Sequence, residues 1–129
     1  RILMVEGGRE PLKGYWSLPG GVLKRGERLH DGIRREVMEE TGIQIKPLGV
    51  AAVFERLSHN KRGRVEYHYV LIDLLCRVVR GRLRAADDAS AARWIPLADL
   101  ERYPITDGTL EVIRRVVRRG RQGLLRTCI

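Results

Sequence analysis

The sequence has few cysteines and few aromatic residues. Its two cysteines, Cys76 and Cys128, form neither a CxxC motif nor a Cys/His pair with metal-ligand spacing, which argues against a disulfide framework and a structural zinc site. Unpaired thiols are typical of a reducing compartment, so we expect a cytoplasmic protein. Aromatic residues make up 5% of the chain and are not interleaved with basic residues. This composition disfavours nucleic acid as a partner.

Long apolar runs are also missing. No stretch approaches the roughly 20 apolar residues that a membrane-spanning helix needs, and no signal peptide is visible, so we expect no membrane partner. With 129 residues and 43% hydrophobic residues, the chain suits one globular domain, residues 1–129. It begins at Arg1 inside an apolar run. We therefore hold open the expectation that a first N-terminal strand is lacking.

Acidic residues are outnumbered by basic ones, 16 against 25, for a net charge of +9. Such a charge indicates either anionic partners, for example phosphorylated small molecules or nucleic acid, or a solvated basic surface. The arginine-rich stretch after Glu111, which contains no acid, fits the second interpretation, because charge runs of this kind usually form a solvated helix face.

Hydrophobic patterning predicts an α/β chain, with strands where β-branched and apolar residues cluster and helices where apolar residues recur every three or four positions. The predicted strands cover residues 2–5, 43–54 and 67–79. The predicted helices cover residues 29–41, 97–102 and 107–119. Between the last two strands, residues 57–65 are polar and basic, which predicts a loop. The nearly continuous apolar run over 67–79 predicts a strand covered on both faces.

Two polar residues of that run need an explanation, Asp73 within it and His68 at its start. Asp73 in a buried strand needs either an internal hydrogen-bond partner or a substrate site, and we expect the internal partner. His68 has no neighbouring nucleophile, so we expect a strand-end residue rather than a catalyst.

The predicted helix over 29–41 carries an unusual set of acidic residues. Glu36, Glu39 and Glu40 would occupy roughly a third of its circumference. Because like charges so placed repel, the arrangement calls for a cation, and Mg²⁺ or Mn²⁺ prefers such oxygen ligands. Gly32 inside the helix costs up to ~1 kcal/mol relative to alanine, which predicts a close contact with another segment.

These residues belong to a longer motif that resembles the Nudix box, G-x5-E-x7-R-E-U-x-E-E-x-G-U, where U is aliphatic. Every fixed position is matched. The matching residues are Gly21, Glu27, Arg35, Glu36, Val37, Glu39, Glu40, Gly42 and Ile43. The flanking segments GYWSLPGG and RWIPLADL also look like those of Nudix hydrolases, so the resemblance covers most of the chain.

The resemblance implies an α/β/α sandwich around a central mixed sheet, and hydrolysis of a nucleoside diphosphate linked to another moiety. Carried over by position, it implies that Glu36, Glu39 and Glu40 ligate Mg²⁺ or Mn²⁺ together with the carbonyl of Gly20. It also implies an orienting salt bridge between Arg35 and Glu27, which completes the predicted catalytic set. Repulsion among the three ligand carboxylates is expected to be relieved only when the metal binds.

The general base and the substrate-binding residues are less defined by the resemblance. A glutamate that many relatives carry before the Trp-containing strand is replaced here by alanines at 91 and 92. This leaves Asp87, Asp88, Glu39 and Glu40 as alternatives for the base, with a simple turn as the competing interpretation of the aspartate pair. The residues considered for contacts with base or ribose are Tyr15, Trp16, Glu55 and Tyr69, each of which could instead be an ordinary core or surface residue.

The segments outside the box look most like those of proteins labelled ADP-ribose pyrophosphatases, so the leading prediction is cleavage of ADP-ribose or a similar nucleotide sugar. One alternative is an oxidised nucleoside triphosphate or the triphosphate end of RNA. Another is a non-catalytic, ligand-sensing Nudix domain. A homodimer is also left open, with the apolar residues near Arg1 or the last helix as its interface.

Overall fold

The computed structural model describes residues 1–86, 89–119 and 127–128. Its strands are β1 (Ile2–Gly7), β2 (Trp16–Ser17), β3 (Ile43–His59), β4 (Val65–Gly81), β5 (Ala89–Ile95) and β6 (Thr127–Cys128). Its α-helices are α1 (Leu29–Thr41) and α2 (Thr109–Arg119), and a 3₁₀ helix covers Leu97–Arg102. The aspartate pair predicted as a source of the base, Asp87 and Asp88, lies outside the described residues.

The described strands form two three-stranded sheets. Their orders are β2-β1-β5 and β3-β4-β6, and neighbouring strands pair antiparallel in both. Parallel pairs occur as the isolated bridges Gly7 to Lys13 and Trp16 to Ile105. The parallel component of the predicted mixed sheet is therefore limited, among the described residues, to single bridges.

The two α-helices cover opposite sides of β1, because successive residues of a strand point to opposite faces. Leu3 belongs to a buried cluster with Ile33 and Val37 of α1. Its neighbours Ile2 and Met4 belong to a second buried cluster, which includes Ile113 of α2. This arrangement confirms the predicted α/β class and the layering of helix, sheet and helix.

Helix α1 begins and ends where the sequence predicts. Gly42 follows it with φ +73°, and its N–H donates to the carbonyl of Met38, a left-handed ending that glycine adopts without steric cost. Ile33 and Val37 are buried on the inner face. The helix is therefore docked by its apolar stripe, which holds its acidic side chains at a fixed position.

The β3–β4 hairpin differs from the prediction. The predicted loop over 57–65 is shorter in the structure and covers residues 60–64, since β3 continues to His59 and β4 starts at Val65. The predicted cover on both faces is found only in the middle of β4, where the consecutive residues Asp73 and Leu74 are both buried, whereas residues 65–70 are exposed. The hairpin extends past the packed layers, and main-chain pairing between its strands maintains the strands where no core does.

Candidate active site

Arg35 is the central residue of the segment between Gly21 and α1. Its Nε donates to Glu27 Oε2 at 2.7 Å and its Nη2 to Glu27 Oε1 at 2.8 Å. The same Nη2 donates to the carbonyl of Val22 at 3.3 Å. A bidentate pair of this kind fixes orientation as well as distance. Arg35 thus fastens the loop to the helix, as the resemblance implies.

The remaining nitrogen of the guanidinium connects two of the predicted ligands. Arg35 Nη1 donates to Glu36 Oε1 at 2.9 Å and to Glu39 Oε2 at 3.1 Å. A positive charge therefore already lies between these carboxylates. The prediction that only a metal relieves their repulsion is wrong, because Arg35 does so in part.

Two glycines permit close contacts between loop and helix. A Cβ at Gly21 would lie 2.6 Å from the carboxylate of Glu36, and one at Gly32 would lie 2.3 Å from Leu23 Cδ2 and 3.1 Å from Glu27 Oε1. The contact predicted from Gly32 is thereby confirmed. Any larger residue at Gly21 would displace the Glu36 carboxylate.

Glu40 lies on the inner side of the acidic group. It is 8% exposed, and its Oε2 accepts a hydrogen bond from the Gly20 N–H at 3.4 Å. The segment of Gly20 and the C-terminal half of α1 are therefore adjacent. This places the backbone of Gly20 beside the acidic residues with which the resemblance groups it.

The predicted ligands, three glutamate carboxylates and the Gly20 carbonyl, are all oxygen donors, which suit a hard divalent cation. Within residues 1–86 and 89–119, however, no three acidic, histidine or cysteine side chains are gathered closely enough to form a ready metal site. Arg35 Nη1 holds Glu36 and Glu39 instead. The donor set fits Mg²⁺ or Mn²⁺, provided that these two carboxylates turn away from Arg35.

The ion pair lowers the pKa of Glu27 and raises that of Arg35. Hydrogen bonds from Arg35, followed by the N–H of Lys24, lower the pKa of Glu27 from 4.5 to about 2. Glu27, followed by Glu36, raises the pKa of Arg35 above its ordinary value. Each group is thus held in its charged form at neutral pH.

We expect Glu27 to contribute stability that is lost in acid. Its pKa in the folded state, about 2, lies below the ordinary 4.5, so the contribution is complete above pH 4.5 and declines as the pH falls towards 2. Urea unfolding across this range should show a smaller loss of stability for Glu27→Gln than for the parent. Glu66→Gln, at an exposed position, is the matched control and should follow the parent. Equal pH profiles for parent and Glu27→Gln would contradict the assignment.

The predicted substrate-facing residues fall into two environments. Tyr15 is 48% exposed, whereas Trp16 is 4% exposed in the core, edge-on to Tyr103 with ring centroids 5.2 Å apart. Trp16 therefore has a core role that needs no substrate. The substrate contact stays a prediction for Tyr15, Glu55 and Tyr69.

Two contacts on the hairpin were not predicted from the sequence. Glu55 Oε2 lies 2.5 Å from His68 Nε2, and Tyr69 stacks on Tyr67 with centroids 5.7 Å apart. The Glu55–His68 pair joins β3 to β4 and depends on strand register, which the sequence does not indicate. Tyr67 and Tyr69 lie two residues apart on β4, so their contact follows from the alternation of side chains along a strand.

Asp73 has neither of the two environments considered for it. Its side chain is fully buried, and neither carboxylate oxygen has a hydrogen-bond partner among the described residues. Burial raises its pKa to about 6, with Arg56 and Arg115 acting in the opposite direction. The expectation of a satisfied internal hydrogen bond is not met. No substrate could reach this carboxylate directly.

Comparison with known proteins decides the family. The family model of the NUDIX domain matches residues 1–116. The chain belongs to the Nudix family. An ADP-ribose pyrophosphatase of Methanocaldococcus jannaschii is 33% identical over 100 residues, which cover 78% of this chain and 57% of that protein. The 8-oxo-dGDP phosphatase NUDT18 of Mus musculus is 30% identical over 103 residues, 77% of this chain and 29% of that protein.

Solved structures agree with this assignment. A MutT NUDIX hydrolase from Burkholderia pseudomallei superposes with a TM-score of 0.75 at 28% identity, covering 88% of this chain and 86% of that chain. The Nudix chain spans 57% and 29% of the length of the two curated relatives just described. No helix of the described residues is long and apolar enough to cross a membrane.

Proposed function

We propose that this Nudix domain hydrolyses, with Mg²⁺ or Mn²⁺, the pyrophosphate bond of a nucleoside diphosphate linked to another moiety. The observation that carries the proposal is the Arg35 network, which joins Glu27 on the loop to Glu36 and Glu39 on α1. A solvated acidic helix face would not need such an arrangement. The complete box of the sequence therefore corresponds to an assembled three-dimensional unit.

In this proposal Glu36, Glu39 and Glu40 hold the metal together with the carbonyl of Gly20. A divalent cation supplies charge neutralisation on pyrophosphate oxygens and promotes attack by water. Arg35 and Glu27 position the acidic face, because their bidentate pair links loop and helix. Water attacks phosphorus, the bridging P–O bond breaks, and a carboxylate accepts the proton of the water. Glu39 and Glu40 remain alternatives for that base, as do Asp87 and Asp88.

For the substrate we propose ADP-ribose or a similar nucleotide sugar. The similarity to the Methanocaldococcus jannaschii ADP-ribose pyrophosphatase supports this choice. The similarity to an 8-oxo-dGDP phosphatase favours an oxidised nucleotide as the second candidate. A cytoplasmic location also remains our proposal, since such nucleotides are intracellular metabolites and the chain has only two cysteines.

A substrate panel with Mg²⁺ tests the proposal. Purified protein should hydrolyse ADP-ribose or another nucleotide sugar faster than dinucleoside polyphosphates, nucleoside triphosphates or 8-oxo-dGDP, with AMP among the products from ADP-ribose. Faster turnover of 8-oxo-dGDP would support the second candidate. Binding without turnover of any member would support a ligand-sensing domain and contradict the enzymatic proposal.

We also expect Mg²⁺ to stabilise the fold. Binding to the native state alone adds about 2.7 kcal/mol at a hundredfold excess over Kd, so the melting temperature should rise by several degrees at saturation. Ca²⁺ and Na⁺ at matched ionic strength are the controls for the general effect of salt, which screens surface charges. The rise should be absent in Glu36→Gln, although its fold is kept. A melting temperature indifferent to saturating Mg²⁺ would count against the metal site.

A further inference from the structure

The β3–β4 hairpin exposes an unusual amount of apolar surface. Val53 and Leu57 on β3 are 58% and 50% exposed, and Val70 on β4 is 63% exposed. Val53 and Leu57 lie on one face of the hairpin with Glu55, and Glu55 pairs with Val70 across the strands. Apolar patches of this kind usually mark an interaction surface.

The main chain of β3 is also available. Within its sheet β3 is an edge strand, paired with β4 on one side, and no described strand pairs with its other side. Alternate N–H and C=O groups along a free edge can pair with an added strand. A projecting ribbon of two strands is only marginally stable by itself, so an added strand would also stabilise it.

Only one part of this edge can accept a strand. Pro47 and register irregularities at Gln44/Ile45, Pro47/Gly49 and Val50/Ala52 interrupt the first half of β3, and another follows at Ser58/His59. Proline and bulges are the features by which proteins block edge pairing. The run from Ala52 to Ser58 is regular between them. It is also the part that carries the exposed Val53 and Leu57.

We propose that this run pairs antiparallel with the same run of a second copy, forming a two-fold symmetric dimer with a continuous sheet. A two-fold axis at Glu55 sets Val53 opposite the partner's Leu57, and the reverse, so that both apolar residues meet apolar residues. Shifting the axis by one residue sets Val53 opposite the partner's Glu55 or the partner's His59. The apolar pattern therefore selects one register.

Charge weakens the pairing in this register without changing which register the apolar residues favour. The axis brings the two Glu55 side chains together, and like charges directly opposite each other repel, although each carboxylate lies within hydrogen-bond distance of its own His68 Nε2, at 2.5 Å. A seven-residue strand pair is only about 23 Å long. The interface would therefore be near the roughly 1,200 Å² lower end of specific interfaces. We expect a dimer whose population depends on concentration.

Sedimentation velocity from about 1 to 500 µM tests the proposal. The parent should shift from monomer to dimer, and Val53→Lys and Leu57→Lys should each raise the dimer dissociation constant at least tenfold. Leu48→Lys is the matched control, because Leu48 is 54% exposed on the same strand but lies in the interrupted part. It should dimerise like the parent. A monomeric parent at 500 µM, or equal disruption by Leu48→Lys, would overturn the proposal.

Cross-linking tests the register separately. In a Cys128→Ser background, Glu55→Cys should be joined into a covalent dimer by a short bismaleimide, since residues opposite each other across paired strands have Cβ atoms about 5 Å apart. Leu48→Cys should remain largely monomeric under the same conditions. Cross-linking of Leu48→Cys in place of Glu55→Cys would show that the copies meet at another surface. Circular dichroism of each variant confirms that the fold is retained.

Discussion

Glu39→Gln is expected to lower kcat/KM for the preferred substrate by more than about 100-fold. The amide has nearly the same shape as the carboxylate but no charge, so the metal site loses one anionic ligand. Even the loss of a group behind a metal ligand typically costs 10- to 100-fold, and the loss of the ligand itself should cost more. Kinetics over a range of Mg²⁺ concentrations measures the effect and should show a raised Mg²⁺ requirement.

The fold should tolerate this substitution. Glu39 is partly exposed, and Arg35 keeps its bidentate pair with Glu27 and its contact with Glu36. The melting temperature without metal should therefore change little. Glu101→Gln, which removes an exposed carboxylate that pairs with Arg114, is the matched control and should retain full activity. A Glu39→Gln variant as fast as the parent would rule out Glu39 as a metal ligand and as the base.

The extent to which the sequence predicts the site depends on how local each feature is. Helix α1 was predicted to the residue, because an apolar stripe and a glycine ending are both encoded within it. Its salt bridge to Glu27 followed from the motif. The contacts of Arg35 with Glu36 and Glu39 were not predicted. The Arg35–Glu39 pair has the i,i+4 spacing at which helix side chains meet and was open to prediction, whereas the contact between the adjacent residues Arg35 and Glu36 depends on side-chain rotamers.

Longer-range features were predicted less well. Polar residues over 57–65 favoured a loop, but paired strands reach His59 and Val65. Local polarity normally indicates the end of a strand because most strands bury one face. Here hydrogen bonds across the hairpin maintain strands that no core covers. The Glu55–His68 contact then follows from a register that sequence patterning does not contain.

Asp73 is a residue whose burial was predicted but whose surroundings were not. Its position within an apolar run correctly indicated a buried carboxylate, yet the run could not show what surrounds it. In the structure Asp73 pairs with Ala52 across the hairpin, and Ala52 packs against Val112 and Val116 of α2. An apolar helix face thus covers this part of the sheet, which explains why burial dominates its pKa.

Asp73→Asn is accordingly expected to stabilise the protein at pH 8 by about 1 to 3 kcal/mol. The pKa of the carboxyl is about 6 in the fold and ordinarily 3.8, so the folded state binds the proton more tightly than the unfolded state. Stability of the parent therefore falls as the pH rises from 3.8 to 6, and the full cost applies above that range. The neutral amide has no such cost. Urea unfolding at pH 8 and pH 4 measures the difference, which should nearly vanish at pH 4.

The sign of this result separates two accounts of the buried charge. Arg56 and Arg115 lower the pKa of Asp73, but burial outweighs them, as it often does when charges leave water without hydrogen bonds. Asp99→Asn, at a partly exposed carboxylate 3.9 Å from Arg102, is the matched control and should change stability by less than about 0.5 kcal/mol. If Asp73→Asn instead destabilises the protein at pH 8, attraction to the two arginines exceeds desolvation. The charged Asp73 side chain would then stabilise the fold by holding α2 in place, rather than destabilise it.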